Sequence, residues 1–373
     1  MSERSDDRQA ELADDPVGRI RTAVALTENS HVAVASVSGP GAFDLVDRVC
    51  ARDLFVRDSQ ILQSVFLDDQ GRIWADVEIC RDDDTLHILA EGVTPAALLD
   101  FLNDNRPAGV KASVEDRSQS HRILALNGAY AWELLAELAG PEVVGLPYLT
   151  FFDGLGWTCF RAGKTGEFGY YLLTPAADAD GLRARIFELG QPFDLAEVGV
   201  DALDQCQLEN GFLCMRARDI TAHDPIELQQ QWRVSYRKPY VGSQALLARR
   251  AAGVARRSTH LCSATRISAG DDIYFEGETV GRLLHTGYST VRGEWIGQAM
   301  IDVALAYPGL HILEAGPSAH ERAPVVTLSA PVINNRSLYV NPQNHSYFAR
   351  EEEQHPPLAM DATWALSPAA LSS

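Results

Sequence analysis

The sequence predicts an α+β protein in which two lobes related to the ferredoxin-like fold precede a small C-terminal β-barrel. Three observations support this prediction. Residues 31–102 follow the order strand, helix, β-hairpin, strand, helix, which is the order of a split βαβ unit. A new strand-and-helix pattern begins at Arg122. From Ser258 onward, short β-rich stretches alternate with glycine turns, as in a small barrel.

The elements of the first lobe have recognisable start and turn signals. Pro40 suits the first turn of a helix whose apolar positions include Phe43. The sequence Asp68-Asp69-Gln70-Gly71 is typical of a hairpin turn. Thr94 and Pro95 are typical of a helix start, and the following helix carries Leu98 and Leu102. The predicted strands of this lobe are residues 31–37, 60–67, 72–80 and 85–89.

The second lobe repeats this alternation less regularly. Two apolar runs flank a loop with three glycines at residues 161–169. A helix from about Asp201 can end at Gly211, because glycine readily adopts the left-handed conformation of a helix C-terminus. The remaining predicted segments are a strand at 122–126, helices at 129–138 and 181–189, and barrel strands at 260–267, 272–275 and 279–284.

These elements divide the chain into four parts. Residues 1 to about 16 are polar and predict a disordered leader. Residues 17–245 predict the two lobes, and residues 250–335 predict the barrel domain. The last segment, 350–373, contains three consecutive glutamates and two consecutive prolines, and it predicts a mobile tail.

Composition excludes several classes of protein. The formal net charge is −19, with 32 Lys and Arg against 51 Asp and Glu, so a nucleic-acid partner is not expected. No apolar run approaches the ~20 residues that cross a membrane. The six cysteines form no CxxC pair, and we expect neither a metal site nor a disulfide framework. Free cysteines and an acidic start without an apolar segment favour a cytoplasmic location.

The loop at residues 161–169 reads Arg-Ala-Gly-Lys-Thr-Gly-Glu-Phe-Gly. Its glycines allow positive φ angles and a close approach of the backbone to a neighbouring group. The pattern alone predicts a β-hairpin with a solvated polar tip that carries Glu167.

This loop resembles the Arg-Thr-Gly-Tyr-Thr-Gly-Glu-x-Gly motif of the aminomethyltransferase (glycine cleavage T-protein) family, whose superfamily includes folate-dependent demethylases. Lys164 stands where that family has tyrosine. The resemblance covers roughly residues 17–330. Weaker matches follow in the family's order at Gly71–Asp76, Asp204–Gly211, Asp219–Glu227, Lys238–Gly242 and Gly281–Gly287.

The resemblance implies a central cavity, tetrahydrofolate as cofactor and specific roles for matched residues. Asp76 matches an aspartate beside the reactive N5 of folate, and Glu167 matches the glutamate that holds the pterin. Strand alternation places Trp74 on the same face as Asp76, where its ring could exclude water. The other residues that the resemblance implies for the cofactor site are Arg161, Lys164, Gly166 and Gln207.

Four departures from the family pattern, at Gln63, Ala90, Lys164 and Gln207, indicate a rebuilt donor pocket. Our leading hypothesis is therefore a tetrahydrofolate-dependent one-carbon (methyl) transferase or demethylase that acts on a small O-, S- or N-methyl donor. Its leaving heteroatom needs a proton. The candidate donors are Tyr288 and His285, which we expect to face the pocket, followed by Lys164 and His31.

Two alternatives stay open. One is an accessory folate-binding protein of the iron–sulfur repair type, because Cys214 follows the helix that ends at Gly211, although its flanking residues differ from that branch. The other is a folate-independent enzyme on the same fold, which the four departures favour. The sequence does not name the methyl donor or fix the oligomeric state, and a homo-oligomer is compatible with it.

Overall fold

A computed structural model describes residues 15–360 of the chain. The helices in this part are α1 Pro16–Thr22, α2 Ala42–Val49, α3 Pro95–Asp104, α4 Ala131–Ala139, α5 Ala179–Gly190, α6 Val200–Asn210 and α7 Ser243–Ala252. The strands are β1 Ala25–Glu28, β2 Ala33–Ser38, β3 Ile61–Leu67, β4 Ile73–Asp82, β5 Thr85–Glu91, β6 Ser113–Asp116, β7 His121–Gly128, β8 Phe151–Gly154, β9 Trp157–Phe160, β10 Phe168–Pro175, β11 Ala196–Glu197, β12 Arg256–Ser263, β13 Asp272–Phe275, β14 Glu278–Ser289, β15 Glu294–Asp302, β16 Leu313–Ser318 and β17 Glu321–Leu328.

The two lobes are two sheets that pack face to face with helices on both outer faces. The first sheet has the strand order β3-β4-β5-β2-β6, and the second has the order β11-β1-β7-β10-β9-β8. Helices α2 and α3 cover the outer face of the first sheet, while α4 and α5 cover that of the second. Between the sheets lies a shared apolar layer, to which Val34 and Leu89 contribute from one side and Ala125 and Tyr171 from the other.

The C-terminal strands close into a six-stranded barrel in the order β12-β15-β14-β13-β16-β17. Its interior is apolar and includes Leu261, Leu283 and Ala299. The structure thus confirms the predicted α+β class with two lobes and a small barrel. The sequence analysis assigned only the first three of the barrel's strands.

Helix termini follow the predicted signals. The Thr94 side chain accepts a hydrogen bond from the N–H of Ala97 at 3.2 Å and so caps α3. Gly211 ends α6 with φ +70°. A side chain at Gly211 would place its Cβ 2.6 Å from the side chain of Ala330, so glycine also permits the close contact between α6 and the segment after the barrel.

The ends of the chain need one correction. The predicted leader lies outside the described residues except for its last two, Asp15 and Pro16, which cap and open α1. A mobile tail from residue 350 is wrong for residues 350–360, because they pack against the second lobe and against the barrel. Glu353 accepts a hydrogen bond from Tyr130 Oη at 2.8 Å, and Leu358 is buried. Residues 361–373 lie outside the described part of the chain.

Candidate active site

Two adjoining cavities flank the segment after α6. The first lies where this segment meets the lobes, and the second lies between the segment and the barrel. The first cavity measures about 230 Å³ and the second about 410 Å³. They share three lining residues, Gly211, Gln230 and Trp232. The first cavity is also lined by Gln63, Asp76, Tyr148, Gly163, Lys164, Asn210, Phe212, Leu213 and Arg233. It therefore collects residues from both lobes and from the connection to the barrel.

Asp76 is the buried anion of the first cavity. It lies on β4, and only 1% of the residue is exposed. Lys164 Nζ is 2.7 Å from Asp76 Oδ2, and the Arg233 guanidinium donates to Oδ1. Burial alone would raise the pKa of Asp76, but Arg233 and Lys164 outweigh that effect and hold the pKa below its usual value. Asp76 is therefore a carboxylate at neutral pH.

The charge pairing continues beyond Asp76 as what we call the open network, which consists of Arg233, Asp76, Lys164, Glu91, Arg216 and Asp204. Lys164 Nζ lies 2.6 Å from Glu91. Arg216 lies 3.3 Å from the same carboxylate and also forms an ion pair with Asp204. Lys164 is buried, which by itself lowers its pKa, yet Asp76 and Glu91 raise the pKa well above the usual value. Its ammonium group is thus a permanent cation and a poor proton donor, contrary to the expectation that Lys164 could protonate the leaving heteroatom.

Glu78 is a second carboxyl group on the inner face of β4. It is buried, and its oxygen accepts a hydrogen bond from Gln63 Nε2 at 3.1 Å. Burial raises the pKa of Glu78, and the neighbouring Lys164 only partly opposes this. The pKa values of Asp76 and Glu78 are therefore shifted in opposite directions, because two cations lie against Asp76 whereas an amide contacts Glu78.

Trp74 does not share the face of Asp76. Strand β4 pairs Ala75 with Phe66 and Ile73 with Leu67, so Trp74 has no partner on β3 and forms a bulge. The bulge turns Trp74 to the outer face, where it stacks on Phe101 at 4.2 Å. The predicted shielding of Asp76 by Trp74 is therefore wrong. Burial and ion pairing set the environment of the carboxylate instead.

Glu167 belongs to a separate set of ion pairs, the closed cluster, which consists of Arg21, Glu167, Glu209 and Asn335. Arg21 lies 3.2 Å from Glu167 and 2.7 Å from Glu209, and none of these side chains is exposed. Glu167 also accepts the backbone N–H groups of Arg336 at 3.0 Å and Ser337 at 2.7 Å. The expected solvated hairpin tip is wrong. The pterin contact implied for Glu167 stays a prediction, and it would require these donors to be displaced.

The remaining residues of the implied cofactor site have structural surroundings. Arg161 donates to the carbonyl of Leu146, and its guanidinium lies 5.5 Å from the centre of the Phe168 ring. Gly166 has φ +82°, and a Cβ there would lie 2.5 Å from the Asn210 and Asn335 side chains. Neither residue lines the first cavity.

Gln207 faces a small polar space on the other side of Lys164. Three buried amide atoms without a partner are found there: Asn29 Oδ1, Asn127 Nδ2 and Gln207 Oε1. The space measures about 10 Å³, which is room for one water molecule and not for a pterin ring. His31 also lines this space, and burial lowers its pKa.

The structure does not bring His285 and Tyr288 to Asp76, and neither lines the first cavity. His285 is near Asp204 and Arg216, and burial lowers its pKa. Tyr288 is 48% exposed, and its ring packs against Trp295 at 5.6 Å. The predicted glycine-flanked turn is not present, because these residues belong to β14, which has a register shift beside His285.

Sequence reasoning missed Arg233 and Glu91. Arg233 follows an exposed tryptophan in a segment without regular periodicity, so nothing local indicates that it is buried. Glu91 ends β5 after a run of buried residues, and a charge in that position is a signal that could have been read. Of the four departures, Gln63 and Lys164 line the first cavity, whereas Ala90 is buried in β5 opposite Val77.

Two further features of the sequence analysis are the thiol of Cys214 and the question of a metal site. Cys214 is buried, which raises the pKa of its thiol to about 12, and its Sγ is 3.4 Å from Asp204. The only His and acidic side chains close enough together for a metal in the described chain are His345, Glu353 and His355. Their hydrogen bonds account for this placement, since His345 Nδ1 accepts from the N–H of Asn341 and His355 lies 2.6 Å from Glu353.

Within residues 15–360, no helix combines the length and apolar character that crossing a membrane requires.

Comparison with known proteins gives a consistent result. Residues 6–238 match the family model of the GCVT N-terminal domain. An aminomethyltransferase of Mycobacterium leprae (strain Br4923) is 30% identical over 248 residues, which are 63% of this chain and 65% of that protein. The alignment thus spans just under two thirds of this relative. An aminomethyltransferase of Frankia alni is 29% identical over 307 residues and covers 77% of this chain and 80% of that protein.

A solved structure shows the same fold. The crystal structure of the glycine cleavage system aminomethyltransferase T from Bartonella henselae aligns with a TM-score of 0.75 at 24% identity. The alignment covers 84% of this chain and 88% of that chain.

Proposed function

Because the chain belongs to the GCVT family, we propose that it catalyses transfer of a one-carbon unit to tetrahydrofolate, with a small O-, S- or N-methyl compound as the donor. The observation that carries this proposal is the ionised, buried Asp76 on the wall of the first cavity. A carboxylate held charged in a site with little water binds an N–H group strongly, and it can accept the proton that the nitrogen releases once methylation makes that nitrogen cationic.

The first cavity has the size and chemistry to take the pterin end of the cofactor. Together with the adjoining second cavity, it falls in the range of ~300–1,000 Å³ typical of cofactor pockets. Asp76, Gln63 and Gln230 would hold the polar edge of the pterin. The rings of Tyr148 and Trp232 line the same cavity and would pack on its faces. Bound tetrahydrofolate would supply the secondary amine that accepts the carbon unit.

The residues of the chain have complementary tasks in this reaction. Asp76 orients the reacting amine and takes up its proton. Arg233 and Lys164 lie on either side of the carboxylate and keep it in place. Lys164 stabilises negative charge that develops on the leaving heteroatom, since its ammonium group stays charged. The proton that Asp76 takes from the amine then passes to that heteroatom, so the carboxylate is restored and the leaving group departs neutral. Tyr148, Phe212 and Trp232 are exposed in the free protein and would cover a bound ligand, which would reduce the access of water to it. We assign no catalytic task to His285 or Tyr288.

A titration tests the proposal. Tetrahydrofolate and 5-methyltetrahydrofolate should each raise the melting temperature of the full chain, because a ligand at 100 times its Kd stabilises the native state by about 2.7 kcal/mol. Methyl ethers, methyl thioethers and methylamines should then be screened for formation of 5-methyltetrahydrofolate. Absence of any thermal shift with both folates would overturn the proposal.

A folate-independent enzyme is the second candidate, and the closed cluster favours it. The glutamate that resembles a pterin ligand is saturated by Arg21 and by the chain's own N–H groups at 336 and 337. In that case, a donor identified by substrate screening would be consumed at the same rate with and without added tetrahydrofolate. The accessory iron–sulfur function has no such support, since Cys214 is a buried neutral thiol.

A further inference from the structure

Glu78 is a buried carboxyl group beside the first cavity that has no cation of its own. Only 4% of the residue is exposed, and no Lys, Arg or His of residues 15–360 forms an ion pair with it. It accepts a hydrogen bond from Nε2 of Gln63, its partner on strand β3, and Gln63 lines the cavity. The Glu78 carboxyl group therefore lies directly behind the cavity wall.

The open network has no spare positive charge for Glu78. Its three cations already pair with its three carboxylates. Glu78 adds a fourth carboxyl group to this part of the molecule, so the acidic groups outnumber the basic groups by one. A buried carboxyl group in such surroundings either keeps a proton or pairs with a positively charged ligand.

Aromatic rings lie next to this excess of acidic groups. Tyr148 and Trp232 line the first cavity, and both are exposed. Burial raises the pKa of the Tyr148 hydroxyl, and the nearby Glu78 carboxyl group adds to this effect. Aromatic faces attract cations, and methylated ammonium groups are a class of ligand that proteins recognise in this way. The combination of one carboxyl group and two rings therefore suits a methylammonium ligand.

The charges around Glu78 make its ionisation sensitive to a bound cation. Burial raises the pKa of Glu78, and Asp76 and Glu91 add to this effect, while Lys164 and Gln63 oppose it. The other titratable groups that face Glu78 are uncharged when its neighbours are as described, and they are Cys80, Tyr148 and Tyr171. A cation bound beside Glu78 would favour its charged form, so binding of the cation and loss of the proton should be coupled.

We propose that the methyl donor is a methylammonium cation, whose positive nitrogen lies beside Glu78 and the ring of Tyr148. The inference rests on the proposed function and narrows the donor from O-, S- and N-methyl compounds to one class. In the transfer, the bond from the methyl carbon to the ammonium nitrogen breaks, and its electron pair stays on the nitrogen, which departs as a neutral amine. The methyl carbon bonds to the folate amine, and Asp76 takes the proton that this amine releases.

A cationic donor simplifies the movement of protons. With a neutral donor the proton on Asp76 has to pass to the leaving heteroatom, whereas a departing amine needs none. This agrees with a cavity wall that contains neither His285 nor Tyr288. Once the positive charge beside Glu78 has been consumed, Glu78 is the stronger base of the two carboxylates and can take the proton from Asp76, because two cations hold the pKa of Asp76 low.

Calorimetric titration of the full-length chain without folate tests the cation site directly. The probes are choline, which carries a trimethylammonium group, and 3,3-dimethylbutan-1-ol, which has the same shape without the charge. Choline should bind about tenfold more tightly than the alcohol, because the alcohol cannot pair with a carboxylate. The choline affinity should rise with pH, and titrations in two buffers of different ionisation enthalpy should show that binding releases protons from Glu78.

Glu78→Gln keeps an acceptor for Gln63 but removes the charge. It should lower the choline affinity about tenfold, to the level of the alcohol, and abolish both the pH dependence and the proton release. Glu115→Gln, on the exposed edge strand β6, is the matched control and should bind choline as the wild type does. Glu78→Asp keeps the charge and should retain most of the affinity, which separates loss of charge from a folding defect.

Three results would overturn the inference: equal binding of choline and the alcohol to the wild type, no binding of choline, or an unchanged choline affinity in Glu78→Gln. The proposed function fails by a different measurement. Choline binding that depends on Glu78, together with no thermal shift by either folate, would contradict the proposed function and leave the cation site standing. Methyl transfer from a neutral ether or thioether, in a chain that does not bind choline, would contradict the inference and leave the proposed function standing.

Discussion

The closed cluster and the open network begin three residues apart in one loop, at Glu167 and Lys164. Both are buried and both pair opposite charges. In the closed cluster all four carboxylate oxygens already accept hydrogen bonds. Glu209 accepts from Ser289 Oγ and Arg21, and Glu167 accepts from Arg21 and from two backbone N–H groups. In the open network, Asp76, Lys164 and Arg233 also form the wall of the first cavity.

This difference separates a structural ion cluster from a candidate reaction site. Buried charges by themselves identify neither, because desolvation demands pairing in both cases. Contact with a cavity is what lets a charge act on a ligand. We therefore expect substitutions in the closed cluster to change mainly stability, and substitutions in the open network to change mainly turnover.

Arg21→Ala should have the largest effect on stability. It removes the one cation between Glu167 and Glu209 and leaves two buried carboxylates uncompensated, so the free energy of unfolding should fall by about 3–5 kcal/mol. Urea denaturation measures this loss. Arg19→Ala on the same helix is the control, since Arg19 makes only an exposed 3.4 Å contact with the Asp194 carbonyl. Similar losses in both variants would contradict a special role for the closed cluster.

Asp76→Asn should have the largest effect on turnover. Asparagine keeps the shape but cannot accept a proton, so formation of 5-methyltetrahydrofolate should slow about 10²-fold, or about 2.7 kcal/mol in activation free energy. Folate affinity should change by less than tenfold. Asp153→Asn, at an exposed position of β8, is the control. A wild-type rate in Asp76→Asn would mean that Asp76 is a structural partner of Lys164 and Arg233 and nothing more.

Local sequence signals predicted the local features of the fold. The 68–71 turn, the Thr94 cap and the Gly211 helix end depend on a few neighbouring residues, and each is present. Strand alternation failed at one place, because the bulge at Trp74 adds a residue and reverses the faces of β4. Periodicity cannot reveal a bulge when both faces of the strand are buried.

The candidate site was predicted only in part, because its pairings are long-range. The motif led to Asp76 and Lys164, yet their contact spans 88 residues in the chain. The backbone N–H groups that donate to Glu167 belong to residues 336 and 337, about 170 positions away. No local pattern at Glu167 announces those donors, and the glycine-rich loop looked like an exposed turn for this reason. The burial of Glu167 shows that this residue is a structural anion and not the solvated tip of a hairpin.

Glu167→Gln distinguishes the two interpretations of that residue. The closed cluster predicts a loss of about 1–3 kcal/mol in the free energy of unfolding, because an amide cannot accept from all three donors equally well. It predicts almost no change in tetrahydrofolate affinity. The pterin contact implied by the family motif predicts a tenfold or greater loss of affinity instead. Glu188→Gln, at an exposed ion pair with Arg185, controls for the charge change.

The smallest expected effect is a pH dependence of protein stability, which we assign to His260 in the wall of the second cavity. The pKa of His260 in the folded protein is about 4, because burial disfavours the imidazolium and His285 adds a weaker effect of the same sign. The unfolded chain has the ordinary value of about 6.5, so it binds more protons between these two values. Stability should therefore fall as the pH drops below about 6.5 and level off below about 4.

His260→Gln should remove this contribution, so the wild type should lose roughly 1–2 kcal/mol more than the variant between pH 7 and pH 5. Urea denaturation at the two pH values measures the difference. His320→Gln, at an exposed turn of the barrel, should keep the wild-type dependence, since that ring is in water in both states. An unchanged pH dependence in His260→Gln would mean that water reaches the ring in the folded protein.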